Sequence, residues 1–189
     1  MQRRRRERYT TGFTVTELLV TVAISSIVLG LAIPSFRSLI ADNRMVSMGN
    51  SVRTAALIAR STAVSLNRKI TFCAGQADGG CHGDWSRQQW LVFDDRDRDG
   101  AVDADETVHL SQDLPAAGGV SVSSNGPFNN RVVFTPSGMA VTSTGAFAAG
   151  RLRFCVERGS SGNALELVLI GSGRFESEQK TLSDGCAPL

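Results

Sequence analysis

The sequence predicts an α+β chain in which one long amino-terminal helix packs on an antiparallel, β-rich domain. Three observations predict it. An apolar run fills residues 13–33, hydrophobic residues then recur at spacings of three and four to about residue 66, and from residue 68 short alternating segments are separated by Gly, Asn, Pro and Ser turns. The implied organisation is a basic leader at 1–12, a membrane-spanning helix at 13–33, its amphipathic continuation at 34–67, and a β-rich domain at 68–189.

Composition narrows the function classes. Of 189 residues, 42% are hydrophobic, 20% charged and 6% aromatic, with a formal net charge of +2. These values exclude a wholly disordered or collagen-like chain and a broadly polybasic nucleic-acid binder. Histidine chemistry is poorly supplied, since His82 and His109 are the two histidines. No nucleophile–base set or phosphate loop is visible, and Ser137-Gly138 and the other serines lie in turn-like contexts, so the chain reads as no enzyme.

Charge is concentrated at the start. Residues 1–12 hold five arginines and one glutamate, a net +4, leaving −2 for the remainder. Arg3, Arg4, Arg5, Arg6 and Arg8 favour a cytoplasmic leader, with everything after Pro34 across the membrane. The apolar run of 21 residues spans about 31 Å as a helix, enough for a hydrocarbon core of ~30 Å. A secretory signal peptide is the rival reading, but its apolar core is normally only ~7–15 residues, and Ala23-Ile24-Ser25 lies in mid-run. Glu17 is the single charge in that run. A carboxylate there costs at least ~2.5–3.5 kcal/mol, so it needs a partner, or a place near the helix end where it reaches the headgroups.

Beyond Pro34 the pattern becomes one-sided. Phe36, Leu39, Ile40, Val46, Val52, Ala55, Ala56, Ala59, Ala63 and Leu66 mark the expected apolar stripe, while Arg37, Asp42, Arg44, Asn50, Arg53 and Arg60 mark the other face. The alanines suggest close packing on a sheet. Met45 and Met48 read as packing residues, and Gly49 as a weak point. Gly30 and Pro34 should weaken the helix locally. Strands are expected at 69–74, 89–94, 107–110, 118–124, 131–135, 151–157, 164–170 and 174–177; short strands so closely spaced favour an antiparallel sheet or sandwich.

Gly12-Phe13-Thr14-Val15-Thr16-Glu17-Leu18-Leu19-Val20 resembles the type IV prepilin motif, with Glu17 at the fifth mature position and Pro34 at the twenty-second. Val15-Thr16 replaces the motif's usual Leu-Ile pair. The resemblance implies that prepilin peptidase cleaves between Gly12 and Phe13 and that the new amine of Phe13 is methylated. Glu17 would then neutralise the amine of a neighbouring subunit, and the two groups lie one helical turn apart on about the same face. Cys73, Trp85, Trp90-Leu91-Val92-Phe93-Asp94, Glu106, Gly138 and Gly173-Arg174 extend the resemblance to the GspH/FimT group of minor pilins and pseudopilins. That implies a β-rich body packed on the carboxy half of the helix, anchored by a single pass in the bacterial inner membrane with the body in the periplasm. Its partners would be other pilins, and its role the tip or priming complex of a type IV pilus. A type II secretion pseudopilus is the alternative use.

Four cysteines fit an oxidising compartment and allow three pairings; Cys73–Cys81 and Cys155–Cys186 are favoured. Zinc is the weaker alternative, because no close Cys-x-x-Cys pair is present. No cofactor is required, with one open question. Asp95, Asp97, Asp99, Asp103 and Glu106 match the calcium-loop pattern D-x-D-x-D-G-x5-E position for position, with Gly100 sixth and Val102 eighth. Strand-like flanks and the cations Arg96 and Arg98 argue instead for a plain acidic hairpin tip.

A DNA-receptor reading rests on the carboxy-terminal Gly-Arg-x-Arg signature of some FimT-type pilins. Here Gly173-Arg174-Phe175-Glu176 loses the second arginine, and Glu178 and Asp184 dilute the tail. Arg174 and Lys180 remain as contacts for DNA, with Arg151, Arg153 and Arg158 as reinforcements across the strands. So few cations give a weak, salt-limited site. The plainer reading makes Arg174 a turn residue.

Overall fold

The computed structural model describes residues 12–114, 119–157, 162–183 and 185–189, with backbone alone at residues 34 and 35. The leader's arginines, Arg158 and Asp184 therefore lie outside the described residues. A long helix, α1, runs from Val15 to Leu66 and continues through residues 30 and 34. Two compact units divide the chain, one ending at Leu39 and the other running from Ile40 to Leu189.

In the first unit the apolar side chains face outward. Phe13, Leu18, Val22, Ile27 and Leu31 are all exposed. Two hydroxyls within this run bond back to the helix itself. Thr21 donates to the Leu18 carbonyl at 2.9 Å and Ser26 to the Ala23 carbonyl at 2.8 Å. Hydroxyls turned back on their own backbone leave an outer surface that an apolar solvent tolerates.

In the second unit the helix presents Met45, Met48, Val52, Ala55, Ala56, Ala59 and Ala63 to a closed core. This corrects part of the expected stripe. Phe36, Leu39, Ile40, Val46 and Leu66 are exposed. Phe36 and Leu39 belong to the first unit, Leu66 is the last helical residue, and Ile40 and Val46 lie about 100° round from the buried ladder. Met45 and Met48, which the sequence suggests as packing residues, are both buried. Gly49 is a site of close approach as well as a weak point: a Cβ there would lie 2.4 Å from the Leu165 side chain.

The strands are β1 (Ile70–Cys73), β2 (Gly75–Gln76), β3 (Gly80–Cys81), β4 (Gln89–Phe93), β5 (Val108–Asp113), β6 (Ser121–Ser124), β7 (Val132–Phe134), β8 (Ala140–Val141), β9 (Gly150–Cys155), β10 (Ala164–Ile170) and β11 (Arg174–Lys180). They form a five-stranded sheet ordered β5-β4-β1-β7-β8, a four-stranded sheet ordered β11-β10-β9-β6, and a β2–β3 hairpin. Every pairing is antiparallel. The main core joins the helix ladder to Ile70, Phe72, Trp90, Val92 and Phe134 of one sheet and to Leu152, Phe154, Leu167 and Leu169 of the other.

Strand β1 is buried on both faces. Its second face meets a smaller cluster of Cys73, Leu91 and Phe93, completed by Cys81, Val102 and Val108. Polar contacts fix the helix onto the sheets. Ser51 and the Trp90 indole both donate to Gln112 Oε1, at 3.0 and 3.2 Å. Arg60 Nε donates to the Gly138 carbonyl at 3.0 Å. Gly173 has φ +75°, and a Cβ on it would sit 2.1 Å from that same carbonyl, so glycine is required there on two counts.

Candidate functional site

Three clusters carry the chemistry. At the amino-terminal end, Thr14 precedes the first helical residue. Its hydroxyl accepts from the Glu17 N–H at 3.3 Å, while Glu17 Oε2 accepts from the Thr14 N–H at 3.0 Å and from its hydroxyl at 2.9 Å. This is a reciprocal capping box, which satisfies two of the helix's orphan donors. Thr14-x-x-Glu17 is its sequence signature, and it identifies a bonding partner for Glu17 within its own chain, which the prepilin motif does not specify. Both bonds fall on one carboxylate oxygen, so lone pairs remain for a second donor.

The second cluster is the loop of residues 95–106 between β4 and β5. Carboxylate oxygens of Asp95, Asp97 and Asp99 lie within 4.8 Å of one another, as do those of Asp97, Asp103 and Glu106. Asp97 belongs to both groups, which between them include the five expected residues. Glu106 folds back across the loop, accepting from the Arg96 N–H at 2.6 Å and the Asp103 N–H at 3.2 Å. Desolvation and repulsion from the carboxylates of Asp99, Asp97, Asp105 and Asp95 push Asp103 above its ordinary pKa. The Arg96 guanidinium pairs with Asp94 at 3.4 Å and with Asp105 at 3.2 Å.

The loop is held from below. The Cys73–Cys81 disulfide fixes β3 on β1, and the Cys81 N–H donates to the Gly100 carbonyl at 2.7 Å. Arg131 donates to the Asp99 carbonyl at 3.0 Å and also to the Arg98 carbonyl.

The third cluster lies where the carboxy-terminal tail crosses the four-stranded sheet. Glu166 is fully buried yet ionic: Arg153 lies at 2.7 Å, Lys180 at 2.7 Å and Arg151 at 3.7 Å. Burial pushes its pKa up, but hydrogen bonds from Lys180 and Arg153, reinforced by their charges, prevail and hold it below the ordinary value. The same pairing raises the pKa of Lys180. Arg153 also donates to the Ala187 carbonyl at 2.9 Å, and Asn163 Oδ1 accepts from the Leu182 N–H at 2.8 Å. The Cys155–Cys186 disulfide completes the clamp, with a Cα–Cα distance of 5.6 Å.

This geometry changes the picture of the cations read as DNA contacts. Lys180 is engaged with Glu166 and, at 3.4 Å, with Glu178. Arg153 and Arg151 face the same carboxylate, and exposed Arg174 shares one face of β11 with Glu176 and Glu178. The Glu166 hub carries no motif. It follows from the β9–β10 and β10–β11 registers, which set Glu166 opposite Arg153 and Glu178.

Comparison with known proteins places these features in a wider set. A family profile described as "Type II transport protein GspH" matches residues 49–173, and one described as "Prokaryotic N-terminal methylation motif" matches residues 8–33. Among solved structures, the fold is similar to the Pseudomonas aeruginosa (strain PAO1) type IV minor pilin FimU. The crystal form in space group P21 gives a TM-score of 0.54 at 18% identity, covering 77% of this chain and 97% of that one. A second crystal form, in space group P65, gives 0.49 at 18% identity, covering 75% and 98%. Among curated proteins, none matches this chain significantly.

Proposed function

This chain belongs to the GspH family and is a subunit of the minor pilin and pseudopilin type; from that premise we propose that it serves a type IV pilus, in the complex that primes or tips the filament. The observation that carries the proposal is the amino-terminal end. A cleavage-and-methylation motif leads directly into a helix whose first unit exposes an apolar surface and holds one capped carboxylate.

In this account prepilin peptidase cuts between Gly12 and Phe13, the amine of Phe13 is methylated, and residues 13–33 anchor the subunit in the inner membrane with its body in the periplasm. Cleavage spares Thr14, so the capping box persists in the mature chain. Glu17 then offers its remaining lone pairs to the Phe13 amine of an adjoining subunit. In lipid, where an unpaired charge is costly, that contact favours subunits meeting in one register.

The fold shared with a type IV minor pilin supports pilus use, whereas the GspH profile equally suits the alternative, a type II secretion pseudopilus. A deletion strain separates the two. Loss of surface pili and twitching with normal secretion supports the proposal. Intact twitching with a block in protein secretion overturns it in favour of the alternative. Complementation with Glu17→Ala should fail to restore filaments although the protein accumulates in the membrane.

A further inference from the structure

We propose that the loop of residues 95–106 is a calcium site that ties the β4–β5 connection into one rigid unit, a role independent of the filament assignment. Its oxygen donors are Asp95, Asp97, Asp99, Asp103 and Glu106, joined by the Ala101 carbonyl that the pattern places seventh. A run of acidic residues is not in itself a site. What distinguishes this one is Asp95, whose side chain is completely buried. Its Oδ2 accepts from the Thr71 hydroxyl at 3.1 Å and lies 3.7 Å from Arg131 Nε, while its buried Oδ1 has no hydrogen-bond partner. A buried carboxylate oxygen without a donor is expensive, and a divalent cation is the ligand that would satisfy it. Asp95 also belongs to the group of carboxylates that converges with Asp97 and Asp99.

The surroundings favour a hard cation with several oxygens over zinc. Both cysteines nearest the loop are consumed in the Cys73–Cys81 disulfide, and the carboxylates gather in two groups that share Asp97, with Arg131 Nε 3.7 Å from Asp95. Val102, eighth in the pattern, packs on the Cys73, Leu91 and Phe93 cluster, so the loop is seated on a hydrophobic floor. The two strands β4 and β5 take the place of the helices that usually flank such a loop.

The full-length protein, purified in detergent and stripped with chelator, can be titrated calorimetrically with calcium chloride. One saturable site is expected, with a dissociation constant no weaker than about 10⁻³ M, the range of extracellular calcium modules. Magnesium should bind at least tenfold more weakly. Asp97→Asn and, separately, Asp103→Asn should each weaken calcium binding tenfold or more, and calcium should no longer raise their melting midpoints as it does for the wild type. Asp105→Asn, outside the donor positions, should change affinity less than twofold. Absence of saturable heat from the wild type at ~10 mM calcium overturns the proposal, as does an equal loss from Asp105→Asn and Asp97→Asn. The wild-type titration decides even if one variant fails to fold.

Discussion

The two units of this chain share one helix and treat its apolar residues in opposite ways. Through Leu39 the large aliphatic side chains are exposed; from Met45 onward an alanine-rich ladder is buried against two sheets. Helix periodicity is the same in both, so the difference lies in side-chain size. Leucines, valines and isoleucines in the first unit provide area that pays off only in lipid or against other helices. Alanines in the second let sheets approach closely, and their small burial is multiplied by the aromatics packed on them. The lesson is that a continuous helix can carry a closed core along one part and an exposed apolar surface along another.

Reduction of the disulfides should act on the body alone. Both bonds lie in the second unit, and loss of the longer one (Cys155→Ser with Cys186→Ser) should cost about 3–4 kcal/mol in the chain-entropy model. Chemical denaturation of the full chain in detergent measures it; an unchanged midpoint would mean that the tail clamp carries no stability.

A smaller effect compares the two helix halves directly. Ala59→Leu overfills a fully buried position and should destabilise the body by about 1–3 kcal/mol. Ala23→Leu, in the exposed half, should leave the thermal midpoint of the body where it was. Equal effects would erase the distinction.

The smallest effect is set by pH. Glu166 is held below its ordinary pKa, so the unfolded chain binds its proton more readily than the folded one. Its contribution is therefore present above about pH 4.3, the ordinary glutamate value, and is lost as pH falls below it through the folded value. Glu166→Gln should flatten that part of the stability profile and leave its shape near neutrality intact. An unchanged acid limb would remove Glu166 from the tail clamp.

Much of this was legible in the residues. Helix length, most strands and the converging acidic loop follow from period and spacing, and β10 matches its expected bounds at Ala164–Ile170. The hairpin of β2 and β3 and the short β8 were not, because two-residue strands leave no alternation to detect. Met45 and Met48 are buried, in keeping with their reading as packing residues, whereas Val46, which satisfies the same coarse period, is exposed. The capping partner of Glu17 is encoded in Thr14-x-x-Glu17, a signature embedded in the more specific motif around it. The Glu166 hub depends on register between strands distant in sequence, which local pattern does not encode.

The central claim is that the first unit becomes an assembly surface once an amine is freed next to Glu17. Intact-mass and amino-terminal analysis of the protein recovered from sheared filaments tests it most directly. The account expects every filament-borne chain to begin at Phe13 with a methylated amine. Filaments whose subunits still carry residues 1–12 would contradict it.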